Sequence, residues 1–186
     1  MSITPEEANM VASRAECLFT DEQVQRALDV MAAQITARIS NDNPIVLCVM
    51  TGGIIVTSEL LKRFSFPLEV DYLHATRYGD DTVGDTLRWL VEPRKSLEGR
   101  TVLIVDDILD VGKTLHEIVN YCTELDANNV YSAVLADKLH DRKDGLLKAD
   151  FTALEVPDRY VYGYGMDYKQ YLRNTAGIYA AAKIDE

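Results

Sequence analysis

Along this chain, positions spaced for a helix face alternate with short unbroken apolar runs. Thr4-Pro5-Glu6-Glu7 is a capping box with proline at the first helical position, so a helix is predicted to start there. Thr20-Asp21-Glu22-Gln23 repeats the signal. Val24, Leu28, Met31 and Ile35 follow at helical spacing, which predicts a second, longer amphipathic helix. Beyond Pro44 the pattern changes: Ile45 to Met50 is continuously apolar, as a strand buried on both faces requires. Thr51-Gly52-Gly53 separates this run from a helix predicted over Ile54 to Phe64, and Leu68 to Ala75 reads as the next strand. Residues 76–85 have no apolar period and contain two glycines and three aspartates. Such a polar loop, lying before a strand predicted over Thr86 to Glu92, is usually functional or mobile. Thr101 to Asp106 is another apolar run, followed by a helix from about Lys113 to Leu125 and a strand over Val130 to Lys138. The tail, residues 151–186, is rich in tyrosine without a helical period. It reads as short strands and loops covering one end of the sheet.

Strands alternating with helices give an α/β fold: a mainly parallel, twisted sheet flanked by helices. A chain of 186 residues with 47% hydrophobic residues suits a single domain over 1–186 with a core of ordinary size. The formal net charge of −11 argues against nucleic-acid backbones and anionic membrane surfaces as partners. Three cysteines, Cys17, Cys48 and Cys122, are widely spaced and fit a reducing compartment better than a disulfide framework. The first ten residues lack a basic start and an apolar segment, so no signal peptide is read, and no run approaches ~20 apolar residues. A cytoplasmic location is expected.

The chemistry gathers in Thr101 to Leu115, TVLIVDDILDVGKTL. The closing Gly-Lys-Thr invites a nucleoside-triphosphate loop, but Asp107 stands where that motif needs its first glycine. A calcium-binding helix–loop–helix also fails, because Ile108 and Val111 occupy positions that need a ligand and a glycine. What remains is a strand, two acids, an acid-led turn and a helix N-terminus, whose backbone N–H groups can hold one phosphate monoester. Gly112 permits close approach and Thr114 can donate its hydroxyl. Asp106 and Asp107 can accept from two vicinal hydroxyls or support a hydrated Mg²⁺. One phosphate and two hydroxyls describe a ribose 5-phosphate.

At these residues the chain resembles the type I phosphoribosyltransferases, whose phosphoribosyl-pyrophosphate signature VLIVDDILDVGKTL follows throughout. VMTGG is similar to their pyrophosphate loop. LADK, with DRYVYGYGMDYKQYLRN, resembles the base-recognition hood of the hypoxanthine-guanine members. The resemblance spans about residues 45–175 and implies a small hood built from the N-terminal segment and about residues 151–186. It implies transfer of the 5-phosphoribosyl group from phosphoribosyl pyrophosphate to hypoxanthine or guanine, giving IMP or GMP and pyrophosphate in purine salvage, with Mg²⁺. By position, Asp106 and Asp107 would bind the ribose hydroxyls, and Val111, Gly112, Lys113 and Thr114 would cradle the 5′-phosphate. Asp110 would exchange a proton with purine N7, and Thr51, Gly52, Gly53 and Arg173 would hold pyrophosphate. Lys138 would donate to the oxygen on purine carbon six, which favours oxo-purines over adenine. Tyr160 would stack on the base, Val161 would meet its edge through the backbone, and Asp167 would support the metal alongside Asp106 and Asp107. Arg77 and Tyr78 would belong to a closing lid, and a homo-oligomer, dimer or tetramer, is expected.

Three positions depart from the pattern. Thr51 stands where some relatives carry lysine, Val111 replaces a hydroxyl residue, and Arg77 stands where serine is usual. They bear on affinity and lid chemistry rather than on reaction type. Two other readings remain: a xanthine-preferring relative, and a non-catalytic nucleotide- or RNA-binding regulator on the same fold. The second conflicts with the retained Asp110, Lys138 and Asp167 and with the acidic composition.

Overall fold

The computed structural model describes residues 3–77 and 87–185. Helix α1 (Pro5–Arg14) and strand β1 (Glu16–Phe19) lead into α2 (Asp21–Ile39). Both helices start as their sequences predict. The hydroxyls of Thr4 and Thr20 accept from the N–H groups of Glu7 and Gln23, whose side chains return the bond to the cap N–H. Strand β2 (Ile45–Met50), helix α3 (Ile54–Arg63) and strands β3 (Glu69–Arg77) and β4 (Leu87–Val91) follow. Then come β5 (Thr101–Leu109), α4 (Lys113–Glu124), β6 (Asn129–Leu139), β7 (Phe151–Pro157), β8 (Val161–Tyr162) and β9 (Ile178–Ala180).

Six strands form the main sheet in the order β4-β3-β2-β5-β6-β7; β4 runs antiparallel to β3 and the other neighbours are parallel. The continuous apolar runs are central because both sheet faces are covered. Along β5 the side chains alternate between two cores. Leu103 and Val105 pack with Leu28, Met31 and Ile35 of α2 and Val56 and Leu60 of α3, whereas Val102 and Ile104 pack with Leu115, Ile118 and Cys122 of α4. Each such fully buried Val, Leu or Ile contributes about 1.5–3 kcal/mol, so β5 is firmly fixed along its first half. That rigidity carries the polar end of the strand.

Two expectations are corrected. The first is that residues 151–157 cover an end of the sheet as part of the hood; they form its parallel edge strand, β7, paired with β6 from Ala133↔Phe151 to Leu139↔Pro157. Of these positions only Val156 is fully buried, so the pattern reads as a short strand without showing that it pairs into the main sheet. The second is that the strand ends at Asp106, whereas β5 continues through Asp107 and Ile108 to Leu109. A separate antiparallel sheet, β1-β9-β8, joins the N- and C-terminal parts, and sequence reading missed β1, a short and largely exposed strand. No helix among the described residues is long and apolar enough to cross a membrane.

The strand order reverses between β2 and β5. Successive connections from β2 build outward through β3, and those from β5 build the other way through β6 and β7. Such a switch point opens a crevice beyond the strand ends. The residues there are Thr51–Gly53 and Asp106–Thr114.

Candidate active site

Three adjoining hollows meet on the end of β5. One, of about 460 Å³, is lined by Asp106, Asp110 and the turn Val111–Thr114. A second, of about 380 Å³, gathers Thr51, Gly52, Asp106, Asp107, Thr114, Gln170 and Arg173. The third, of about 370 Å³, is lined by Asp107, Asp110, Lys138, Tyr160, Val161 and Asp167. Asp106, Asp107 and Asp110 each border two hollows, so a ligand filling all three would be threaded past them.

The first hollow is built by a helix start unlike those of α1 and α2. Gly112 caps α4 at φ +92° with no side-chain hydrogen bond to the first turn. A Cβ there would lie 2.2 Å from the Leu146 carbonyl oxygen, because the segment after β6 packs on the turn. Asp144 N–H donates to Val111 O at 2.8 Å and Leu146 N–H to Gly112 O at 3.2 Å. The Lys113 ammonium pairs with Asp144 at 3.1 Å. Sequence reading missed this outer buttress.

At the second hollow the backbone of Gly52 lies against Asp107. A Cβ on Gly52 would stand 2.2 Å from Asp107 Oδ2, and one on Gly165 would stand 2.0 Å from Gly52 O. Arg173 ties these parts together. Its guanidinium donates to Gly165 O and to Asp167 Oδ1, each at 2.7 Å, and lies 3.9 Å from Asp107 Oδ2. The connecting segment is conformationally tight: Tyr164, Lys169, Gln170 and Leu172 all have positive φ. Burial pushes the Asp106 carboxyl well above the usual carboxylate range, and the Asp107 charge adds to this. Burial also raises Asp107, against the opposing pull of hydrogen bonds and of Arg173.

At the third hollow, Lys138 Nζ donates to Asp110 Oδ2 at 2.7 Å, and His140 Nε2 lies 2.7 Å from Asp110 Oδ1. Burial pushes the Asp110 carboxyl up, but the bonds from Lys138 and His140 outweigh it and hold the group below its ordinary range. Tyr160 meets Tyr168 edge-on at 4.9 Å between ring centroids, which fixes one wall. Gln170, Gly165 and His140 join the site without a signal readable in the sequence; each depends on a long-range approach. Of the expected lid pair, Arg77 closes β3 opposite Leu87, and Tyr78 lies outside the described residues.

Residues 16–169 match the phosphoribosyl transferase domain family. Over 84% of this chain and 87% of the relative, the sequence is 33% identical to the hypoxanthine-guanine phosphoribosyltransferase of Bacillus subtilis. This chain belongs to the hypoxanthine-guanine phosphoribosyltransferase family. A hypoxanthine-guanine-xanthine phosphoribosyltransferase of Tritrichomonas foetus is 29% identical over 90% of this chain and 92% of its own. The crystal structure of a hypoxanthine phosphoribosyltransferase from Staphylococcus aureus superposes with a TM-score of 0.86 at 27% identity, covering 93% of this chain and 95% of that one. The α/β architecture described above is therefore the type I phosphoribosyltransferase fold.

Proposed function

We propose that the protein transfers the 5-phosphoribosyl group from phosphoribosyl pyrophosphate to hypoxanthine or guanine, releasing pyrophosphate and IMP or GMP. One observation carries the reading: three hollows fitted to an anion, a charged leaving group and a flat base share the acids of one strand end. The turn Val111–Thr114 receives the 5′-phosphate on the uncapped N-terminus of α4. Asp106 and Asp107 accept from the ribose hydroxyls, while Gly52, Gly53 and Arg173 hold pyrophosphate. The C1′–oxygen bond to pyrophosphate breaks as purine N9 bonds to C1′, and Asp110 takes the N7 proton. Lys138, donor only, exchanges Asp110 for the oxygen on carbon six.

Oxygen donors from Asp106, Asp107 and Asp167 suit Mg²⁺, and their mutual crowding favours a cation, since the Asp167 charge helps to raise Asp107. Among the described residues no group of three or more acids, histidines or cysteines forms an all-protein cage. When bound by these carboxylates, Mg²⁺ would supply charge that neutralises the leaving group. The free thiols of Cys17, Cys48 and Cys122 fit a cytoplasmic enzyme.

A panel of hypoxanthine, guanine, xanthine and adenine with phosphoribosyl pyrophosphate and Mg²⁺ tests this. The expected outcome is turnover of hypoxanthine and guanine with adenine far behind. No turnover of any 6-oxopurine sinks the reading, and a preference for adenine removes the role of Lys138.

A further inference from the structure

Asp110 is held from two sides, and only one holder faces the base hollow. Lys138 lines that hollow with Asp110; His140 does not, since its side chain is 2% exposed against 42% for Asp110. The other ring nitrogen of His140, Nδ1, accepts from the Arg142 N–H at 3.0 Å. Nε2 therefore carries the ring proton and donates it to Asp110 Oδ1. Arg142 in turn makes two bonds, of 2.6 and 2.7 Å, to Asp158 just beyond β7. A short strap, His140–Arg142, thus ties the acid at the end of β5 to the segment that enters Tyr160 and Val161.

We propose that His140 is a positioning residue for phosphoribosyl transfer: its Nε2–H anchors Oδ1 of Asp110, so that Oδ2 alone is presented to purine N7. This rests on the purine-transfer reading above. Before the base enters, Oδ2 is occupied by Lys138. A 6-oxopurine draws the ammonium to its oxygen and frees Oδ2. The N7–H bond then breaks and an O–H bond forms on Oδ2; the N7–H electron pair stays in the purine ring. The bond between N9 and C1′ forms as the C1′–oxygen pair leaves with pyrophosphate. Throughout, Oδ1 stays fixed by a group that the substrate cannot reach. His140 follows Lys138 by two residues, just past the end of β6 at Leu139, and the two side chains reach opposite oxygens of the same carboxylate.

The charged and titratable groups around Asp110 are Asp106 and Asp107 on β5, Lys113 at the start of α4, Lys138 on β6, and His140 and Arg142 on the strap. Asp158 lies beyond β7, and Tyr160 and Asp167 stand across the hollow. Arg142 and Asp158 satisfy each other, which leaves His140 and Lys138 as the two donors bonded to the carboxylate.

Two substitutions separate positioning from packing. The amide of His140→Gln reaches where Nε2 stands and can donate to Asp110. That of His140→Asn reaches only where Nδ1 stands, so it keeps the Arg142 contact and loses Asp110. For His140→Asn, kcat with hypoxanthine should fall roughly 10- to 100-fold while the KM for phosphoribosyl pyrophosphate stays within about twofold. Loss of a donor raises the Asp110 pKa, so the acid limb of kcat/KM should move up by roughly one pH unit. His140→Gln should restore both. If the Asn variant does not fold, the Gln variant decides alone: near wild-type kcat supports the assignment and a loss of tenfold or more, roughly the worth of a charged hydrogen bond, overturns it. An Asn variant with the wild-type profile, or Gln and Asn losing equally, also overturns it. No turnover by the wild-type enzyme would strike the purine-transfer reading itself, whereas turnover with an unchanged Asn variant strikes only the role of His140.

Discussion

Asp106 and Asp110 sit four residues apart on one strand end, yet their surroundings shift them in opposite directions. Asp106 is raised by burial and by the Asp107 charge, so the folded protein binds a proton there more readily than the unfolded chain does. Stability from this group is present below the unfolded pKa and lost as pH rises toward the folded pKa. Asp110 behaves oppositely: its bonds to Lys138 and His140 stabilise the fold above the unfolded pKa and are lost as pH falls through the depressed folded value. The acid placed for ribose is therefore carried at a cost in fold stability, while the acid placed for proton transfer adds to it. Asp106→Asn should accordingly raise Tm near neutral pH, in chelator, by about 2–4 °C, the equivalent of about 1 kcal/mol for a domain of this size. It should also weaken binding of phosphoribosyl pyrophosphate. The gain in Tm should shrink as pH drops toward the ordinary carboxylate range, where the wild-type group is neutral too. Thermal melts across about pH 5 to 8 decide this, and an Asn variant no more stable than wild type at any pH refutes it.

The elements meet at the site through backbone rather than through side chains, and glycine is what allows it. Gly165 has φ +108° and rests on the carbonyl of Gly52, which itself rests on Asp107. Gly165→Ala forces a Cβ into that carbonyl in a left-handed conformation, costing about 1–3 kcal/mol, and it separates the segment bearing Asp167 and Arg173 from the Thr51–Gly53 turn. Gly99→Ala is the control: φ is +68° but no atom lies within 4 Å of the added carbon. Both variants should lose stability, but only Gly165→Ala should raise the KM for phosphoribosyl pyrophosphate, by roughly tenfold; equal kinetics for the two would refute the contact. This level of organisation also marks the limit of what the sequence discloses. The β5–turn–α4 unit was legible because an unbroken apolar run, three acids and Gly112 act within fifteen residues. Helices α1 and α2 were legible from local capping boxes. Strand β7 was misplaced because its partner, β6, and not its own pattern, makes it an edge strand. His140 was invisible because its meaning lies in a bond across 30 residues to Asp110.

At the scale of the molecule, one sheet face is left bare beside the site. Helix α3 covers β2 and β5, but Val70 and Tyr72, two residues apart on β3 and so on one face, remain exposed together with Ile54 at the start of α3. They border a hollow of about 670 Å³ whose walls include Cys48, Met50, Leu61 and Ile54. This hollow is lined by Asp71 but by none of Asp106, Asp107, Asp110 and Asp167, which separates it from the three hollows of the site. It reaches the site through Met50 and Ile54, the residues flanking Thr51–Gly53. An apolar face of this kind is a place for association, and the expected homo-oligomer supplies an occupant: a second copy of the chain. A carboxylate introduced on that face opposes self-association because it would have to be desolvated when the face is covered. Tyr72→Glu should therefore sediment at the 20.9 kDa of one chain, where the wild type should sediment at a multiple of it. Removing the cover should also loosen the Thr51–Gly53 turn and raise the KM for phosphoribosyl pyrophosphate, with kcat for the bound substrates less affected. A wild type that sediments as one chain at micromolar concentration, or a Tyr72→Glu variant that stays assembled, would assign the face to another role.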